Sequence, residues 1–180
     1  MSKHVRPPWD DYYMNIAWDV STRSNCQRRP VGALIVVDRR IVSTGYNGTP
    51  FGVKNCNEGG CPRCASDAPR HQGYETCLCV HAEQNAVLLA ARQGTATDLA
   101  SLFVTLRPCF DCLKAMIQAG IREIVYDQPF DYNGNMEKVY QTLVVEAGIV
   151  MRQHPYSATH ILSPLANSAS QFTGPEMPPV

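Results

Sequence analysis

The stretch LFVTLRPCFDCLKAMIQAGIREIVY, residues 102–126, decides the fold. Leu102 to Leu106 is a short apolar run of the length of a buried strand. Pro108 then turns the chain, because its fixed φ and missing N–H suit the entry to a helix. Cys109 to Ala119 reads as that helix, closed by Gly120, and Ile124 to Tyr126 returns as a strand. A strand, a helix and a second strand in succession imply a parallel pair with a crossover.

The same reading extends outward. His81 to Gln93 has apolar residues at Ala82, Ala86, Leu89 and Ala90, which is helical spacing, and ends at Gly94. Val31 to Val37 and Ile41 to Tyr46 are strands joined by a tight turn at Asp38-Arg39-Arg40. Asp10 to Ser24 repeats apolar residues at Tyr13, Ile16, Ala17 and Val20, again as a helix. Downstream, Met136 to Ala147 is a helix ended by Gly148, and Ile149 to Met151 a last strand. This order predicts an α/β fold in three layers (α/β/α), with a central mixed sheet of about five strands. The domain runs over 8–154. From Pro155 the chain holds five prolines and one charged residue, Glu176, so 155–180 reads as a flexible tail. Between Lys54 and Val80 no period is visible, and so long a structureless segment needs something to order it.

Composition narrows the function classes. The 180 residues carry 16 basic and 16 acidic side chains, which argues against a chain that binds nucleic acid by bulk charge. Hydrophobic residues make up 44%, a globular value, yet no run reaches the roughly 20 apolar residues of a membrane helix. Met1 to Trp9 has no apolar core of a signal peptide, so a reducing cytoplasmic location is expected. There the eight cysteines read as metal ligands or reactive thiols rather than disulfides.

The chemistry lies in His81-Ala82-Glu83 at one helix start and Pro108-Cys109-Phe110-Asp111-Cys112 at the next. Alone, a His-x-Glu is more often a surface pair, and a Cys-x-x-Cys is a redox dithiol, half a structural zinc site or two core cysteines. Together they match the known signature of zinc nucleobase deaminases. Cysteines at i and i+3 of a helix N-terminus can face one point, where the dipole and free amides favour thiolates. His81 adds a neutral third ligand. Three protein ligands leave zinc's fourth position to water and lower that water's pKa towards about 7. Glu83, two residues from His81, can shuttle the water's proton.

The chain resembles the cytidine/deoxycytidylate deaminase superfamily, its deoxycytidylate branch above all and the fungal members most. The resemblance runs from Trp9 to about Arg152. It rests on Trp9-Asp10-Asp11-Tyr12-Tyr13, Arg23-Ser24-Asn25-Cys26 with Val31-Gly32-Ala33, and Gly45-Tyr46-Asn47-Gly48-Thr49-Pro50. It continues in His81-Ala82-Glu83-Gln84-Asn85-Ala86, Val104 to Cys112 and Gln118-Ala119-Gly120-Ile121. The resemblance implies a cytidine deaminase-like fold and hydrolysis of dCMP to dUMP and ammonia, feeding thymidylate synthesis. It implies a catalytic zinc on His81, Cys109 and Cys112 with Glu83 as the proton carrier. It places Asn47 against the sugar or base, Arg28 (with Arg29 beside it) against the 5′-phosphate, and a tyrosine near that phosphate. The tyrosine is Tyr132 or Tyr126, with Phe130 standing where some relatives have it. A second, structural zinc is implied on Cys26, Cys56, Cys61 and Cys79, with Cys64 or Cys77 as substitutes; His71 is a further candidate. Effectors dCTP and dTTP and a homo-oligomer, a hexamer in many relatives, are implied as well. Neither a nucleic-acid partner nor a membrane is expected. The rival readings are a deaminase of another cytosine substrate (free cytidine, a modified dCMP or a polynucleotide), a non-catalytic zinc module, and a redox protein using Cys109 and Cys112.

Overall fold

The structure is a computed structural model that describes residues 6–69 and 72–156. His71 and residues 157–180 of the expected tail lie outside the described residues. The described residues form five strands and five α-helices.

Helix α1 (Trp9–Ser21) opens after Pro8 with Asp10 and Asp11 in its first turn, where carboxylates complement the helix dipole. It buries Tyr13, Met14 and Ala17. Strands β1 (Gly32–Val37) and β2 (Arg40–Tyr46) form a hairpin. Asp38 and Arg39 at its tip have φ of 47° and 62°. Such a left-handed pair fits the twist of the flanking strands. Helix α2 (Pro62–Ala65) is a single turn; α3 (Ala82–Arg92), β3 (Ser101–Leu106), α4 (Phe110–Gln118), β4 (Glu123–Gln128), α5 (Asn135–Glu146) and β5 (Val150–Gln153) follow.

The sheet order is β2-β1-β3-β4-β5. β1 is antiparallel to β2 and β3, whereas β3, β4 and β5 run parallel. The two parallel crossovers place α4 and α5 on one face, as a shared right hand requires. Side chains alternate accordingly. Ala33, Ile35, Leu102, Val104 and Ile124 pack against α3, α4 and α5, through Ala86, Leu113, Met116, Tyr140 and Val144. Leu34, Val36, Phe103 and Val125 pack against Tyr13, Met14 and Ala17 of α1. The expected three layers are therefore observed.

Two glycines set how close the helices come. A Cβ on Gly32 would lie 2.0 Å from the Ala17 carbonyl oxygen of α1. One on Gly45 would lie 2.1 Å from the Ala82 oxygen and 2.5 Å from the Ala86 nitrogen of α3. Gly45 thus lets the first turn of α3 rest on β2, and that turn carries His81 and Glu83. Ser43 Oγ donates to the Ala86 oxygen at 2.5 Å, and Asn85 Nδ2 to the Tyr46 oxygen at 2.7 Å, securing the same contact.

Element ends differ from the sequence reading by a few residues. α1 stops at Ser21 rather than Ser24, because Ser24 turns back towards Asn47. β4 and β5 run further than expected, to Gln128 and Gln153. Packing also passes the expected boundary at 154: Tyr156 donates its amide to Asp127 Oδ1 at 2.8 Å and packs its ring on Trp18. The segment without a period holds α2 and two 3₁₀ turns, Cys56–Glu58 and Tyr74–Thr76, each too short to leave a periodic trace.

Candidate metal centre and active site

Gly32 pairs with Tyr46 and Ala33 with Val104, so the start of β1 and the ends of β2 and β3 share one edge of the sheet. Loops leaving the carboxyl ends of parallel strands are where α/β sheets bind ligands. The sequence motifs converge here.

His81 and Cys109 are the residues that cap α3 and α4, both in extended conformation. Each side chain is thereby aimed off a helix N-terminus. His81 Nδ1 lies 3.3 Å from Cys112 Sγ and 3.4 Å from Cys109 Sγ. These three ligand atoms lie within 4.8 Å of one another. Tetrahedral zinc with bonds of about 2.0–2.3 Å spans donors about 3.5–3.8 Å apart, so the set fits that ion. The polarity of the cluster suits it too. Cys109 is held down to about 4 by the Cys112 thiol and by His81. His81 is raised to about 9 by its bond to Cys109, and Cys112 is pushed up by Cys109 and by burial.

Glu83, 4% exposed, sits in the first turn of α3. Burial raises its carboxyl to about 7, against the pull of His81 and of the Cys112 thiol. It is therefore poised near neutrality, beside the three-ligand set.

Asn47 is buried and held at both ends of its amide. Its Oδ1 accepts the Val31 amide at 2.8 Å and the Ser24 hydroxyl at 2.7 Å, and its Nδ2 donates to the Arg29 oxygen at 2.8 Å. Gly48 and Val80 exchange backbone hydrogen bonds of 3.2 and 2.8 Å, which brings the Asn47 turn alongside His81. Tyr132 Oη accepts the Phe110 amide at 2.8 Å, at the helix end that presents Cys109. Its ring meets Phe110 and Phe130 edge-on. Tyr126, the other tyrosine expected near the phosphate, packs against the same core cluster as Tyr132 does.

Arg28 departs from the expectation. Its guanidinium donates to three backbone oxygens, of Ala68 at 2.7 Å, Arg63 at 3.0 Å and Ser66 at 2.8 Å. Those bonds occupy its terminal nitrogens, so Arg28 ties down the 61–69 loop rather than facing a ligand. Arg29 is exposed at this edge, with Nη2 2.5 Å from Gln128 Oε1.

The sulfurs fall into two groups, the first of which has Cys64, one of the expected substitutes, in place of Cys61. The sulfurs of Cys26, Cys56, Cys64 and Cys79 lie within 4.8 Å of one another; Cys61 is not among them. Cys61 belongs to a second quartet with Cys64, Cys77 and Cys79. The cause is local. Cys61 precedes the single-turn α2 and Cys64 lies inside it; both thiols meet Cys77 and Cys79, and Cys64 alone of the two also reaches Cys26 and Cys56. All eight cysteines are free thiols.

The sequence reading missed Arg107 and Glu137. Arg107 is buried with its guanidinium 4.2 Å from the Tyr140 ring centroid. It donates to the Phe130 oxygen at 2.6 Å and pairs with Glu137 at 2.7 Å and Asp131 at 2.9 Å. Only the resemblance over Val104–Cys112 singled this position out, and it gave no role.

Among the described residues no helix is long and apolar enough to cross a membrane. The model of the cytidine and deoxycytidylate deaminase zinc-binding region matches residues 7–128. The deoxycytidylate deaminase of Schizosaccharomyces pombe is 44% identical over 149 residues, covering 83% of this chain and 45% of the relative. That of Saccharomyces cerevisiae is 41% identical over 157 residues, covering 87% and 48%. The chain thus spans about half the length of these yeast relatives. A crystal structure of dCMP deaminase from the cyanophage S-TIM5, in complex with dCMP and dUMP, superposes with a TM-score of 0.64 at 32% identity. It covers 84% of this chain and 100% of the phage chain. With the ligand set, the buried glutamate and the matched region together, the chain belongs to the cytidine and deoxycytidylate deaminase zinc-binding family.

Proposed function

We propose that the chain hydrolyses dCMP to dUMP and ammonia. The observation that carries this reading is the juxtaposition of His81, Cys109 and Cys112 with the buried carboxyl of Glu83. When bound there, zinc supplies a water of lowered pKa as the nucleophile. Glu83 would take one proton from that water as its oxygen attacks C4 of the cytosine and pass it to the ring nitrogen, then carry the second proton, from the hydroxyl left on C4, to the departing amine, which leaves as ammonia.

Asn47 holds the nucleotide beside this centre. One N–H of its amide is spent on the Arg29 oxygen, and we assign the second to the sugar or base. Tyr132, its oxygen already accepting the Phe110 amide, donates its own O–H to the substrate. Arg29 takes the phosphate role expected of Arg28. A structural metal on Cys26, Cys56, Cys64 and Cys79 orders the segment between β2 and α3. Regulation by dCTP and dTTP, a homo-oligomer, a cytoplasmic location and a supply of dUMP to thymidylate synthesis complete the reading; the family resemblance supports them.

The test is the fall in ultraviolet absorbance of dCMP mixed with the purified protein, with and without dCTP as effector, beside parallel reactions with deoxycytidine and with dCTP as substrates. Conversion of dCMP alone supports the proposal. Arg29→Ala should raise KM for dCMP at least tenfold and leave deoxycytidine unaffected. An equal effect on both substrates would remove the phosphate role.

A further inference from the structure

The two sulfur quartets overlap. Cys64 and Cys79 belong to both, Cys26 and Cys56 to one, and Cys61 and Cys77 to the other. Two separate four-thiolate sites need eight cysteines, and outside the His81 centre the chain has six. Six ligands serve two tetrahedral ions when two of the sulfurs bridge. We infer that this region holds a binuclear zinc cluster, with Cys64 and Cys79 bridging, Cys26 and Cys56 completing one tetrahedron, and Cys61 and Cys77 the other. The inference deepens the structural-metal part of the proposed function and is independent of the deaminase reaction.

Three observations carry it. First, the sulfurs form one connected group. Cys61 Sγ lies 4.0 Å from Cys77 Sγ, near the edge of about 3.8 Å of a zinc–thiolate tetrahedron. Cys61 Sγ also lies within 4.8 Å of Cys64 Sγ, and Cys56 Sγ within 4.8 Å of those of both Cys64 and Cys79.

Second, sulfurs of both halves are withdrawn from solvent. Cys56 and Cys61 are buried, and Cys26, Cys64, Cys77 and Cys79 are half-buried. Cys56 Sγ accepts the Gln27 amide at 3.5 Å, a contact that favours a thiolate, the form that binds metal.

Third, cations stand close by. Six thiolates and two divalent ions leave a net charge of about −2. Arg63, the residue before Cys64, is 7% exposed, donates to the Gln72 oxygen at 2.9 Å and stacks 4.0 Å from the Tyr74 ring centroid. Arg28 closes the same loop through its three carbonyls. Without metal, this segment has little apolar core of its own; Cys56 and Cys61 are the buried apolar side chains between Lys54 and Val80 among the described residues.

The experiment counts zinc per chain on the purified full-length protein by elemental mass spectrometry. The denatured mass and native thiol alkylation are measured on the same sample. Three zinc ions, eight reduced cysteines and protection of Cys61 and Cys77 from alkylation are expected. The double variant Cys61→Ser/Cys77→Ser should bring the count to two. Cadmium-113 exchange into the unaltered protein supplies a readout that needs no variant: two thiolate-range resonances coupled through bridging sulfur. Two zinc ions, with Cys61 and Cys77 alkylated or joined in a disulfide, would overturn the second ion and leave the structural centre standing. Three zinc ions retained in the double variant would overturn the ligand assignment. One zinc ion or none would remove the binuclear cluster and the structural centre together, with the deaminase reading still open to the absorbance assay.

Discussion

Arg107 and Glu137 tie the end of β3 to the start of α5: the guanidinium donates to the two carboxylate oxygens at 2.7 and 3.1 Å. Glu137 also accepts the Tyr132 amide at 3.1 Å. The pair therefore fixes the loop that sets the Tyr132 phenol on the Phe110 amide. Arg107 is 3% exposed, so loss of its main partner leaves a buried charge only partly compensated by the exposed Asp131. Glu137→Gln should cost about 1–3 kcal/mol in urea unfolding. It should also raise KM for dCMP more than it lowers kcat, because binding contacts move and the proton carrier does not.

The same pair sets an acid limit. Arg107, with help from Gln141 and the Tyr132 amide, holds the Glu137 carboxyl at about 2 against an ordinary 4.5. The unfolded chain then binds the proton more readily than the native one, so this contribution to stability is present above about pH 4.5 and is lost as pH falls towards about 2. Unfolding free energies followed from about pH 6 downward should fall more steeply for the native protein than for Glu137→Gln. Parallel slopes would refute the coupling.

Glu83→Gln removes the proton carrier and keeps the volume. Turnover of dCMP should drop by about 10²–10⁴-fold or more, with zinc content unchanged. Retained turnover would exclude Glu83 from the reaction, and lost zinc would mean that it supports the metal site instead.

At Gly45 even one methyl group is too many. The added Cβ would meet the Ala82 oxygen at 2.1 Å, and backbone cannot yield as a side-chain tip can. Gly45→Ala should destabilise the protein by about 1–3 kcal/mol and push α3 from β2. Because α3 carries His81 and Glu83, zinc affinity and activity should fall with it. Gly94→Ala supplies the control. It has no neighbour within 4 Å, so only its φ of +67° resists the substitution, and the metal centre should be untouched.

Removing metal should act locally first. After chelation, amides of residues 54–80 should lose hydrogen-exchange protection, while those of β3 and β4 in the sheet's interior keep theirs. Uniform loss across the chain would mean that the whole domain folds around its metal.

The regular elements were legible because their faces are one-sided. The apolar spacing of Ala82, Ala86 and Ala90 and the unbroken run Leu102–Val104 each meet a core. The three-ligand set was legible because its residues sit at helix starts, where local geometry alone aims them. The surroundings of Arg28 were not legible, because a sequence displays its charge and not the three carbonyls it faces. Arg107 escaped because a charge between a strand and a proline ordinarily reads as solvated, and its partners Asp131 and Glu137 arrive from a loop and helix beyond β4. The exchange of Cys61 for Cys64 depended on a single helical turn too short to show a period.

The antiparallel pairing of β1 with β3 has a kinetic side. Ala33 meets Val104, so the centre of the sheet forms only when about seventy residues of intervening chain are drawn into a closed loop. A knot of zinc between Cys26 and Cys79 offers a shortcut across most of that length, leaving about thirty residues to close. Halving a flexible loop lowers its closure cost by about 0.6 kcal/mol, roughly a threefold gain in rate when closure limits folding. The sulfur-rich segment, distant from the sheet in chemistry, would then act as the clasp that speeds its assembly, and refolding with zinc present from the start would outpace refolding with zinc added afterwards.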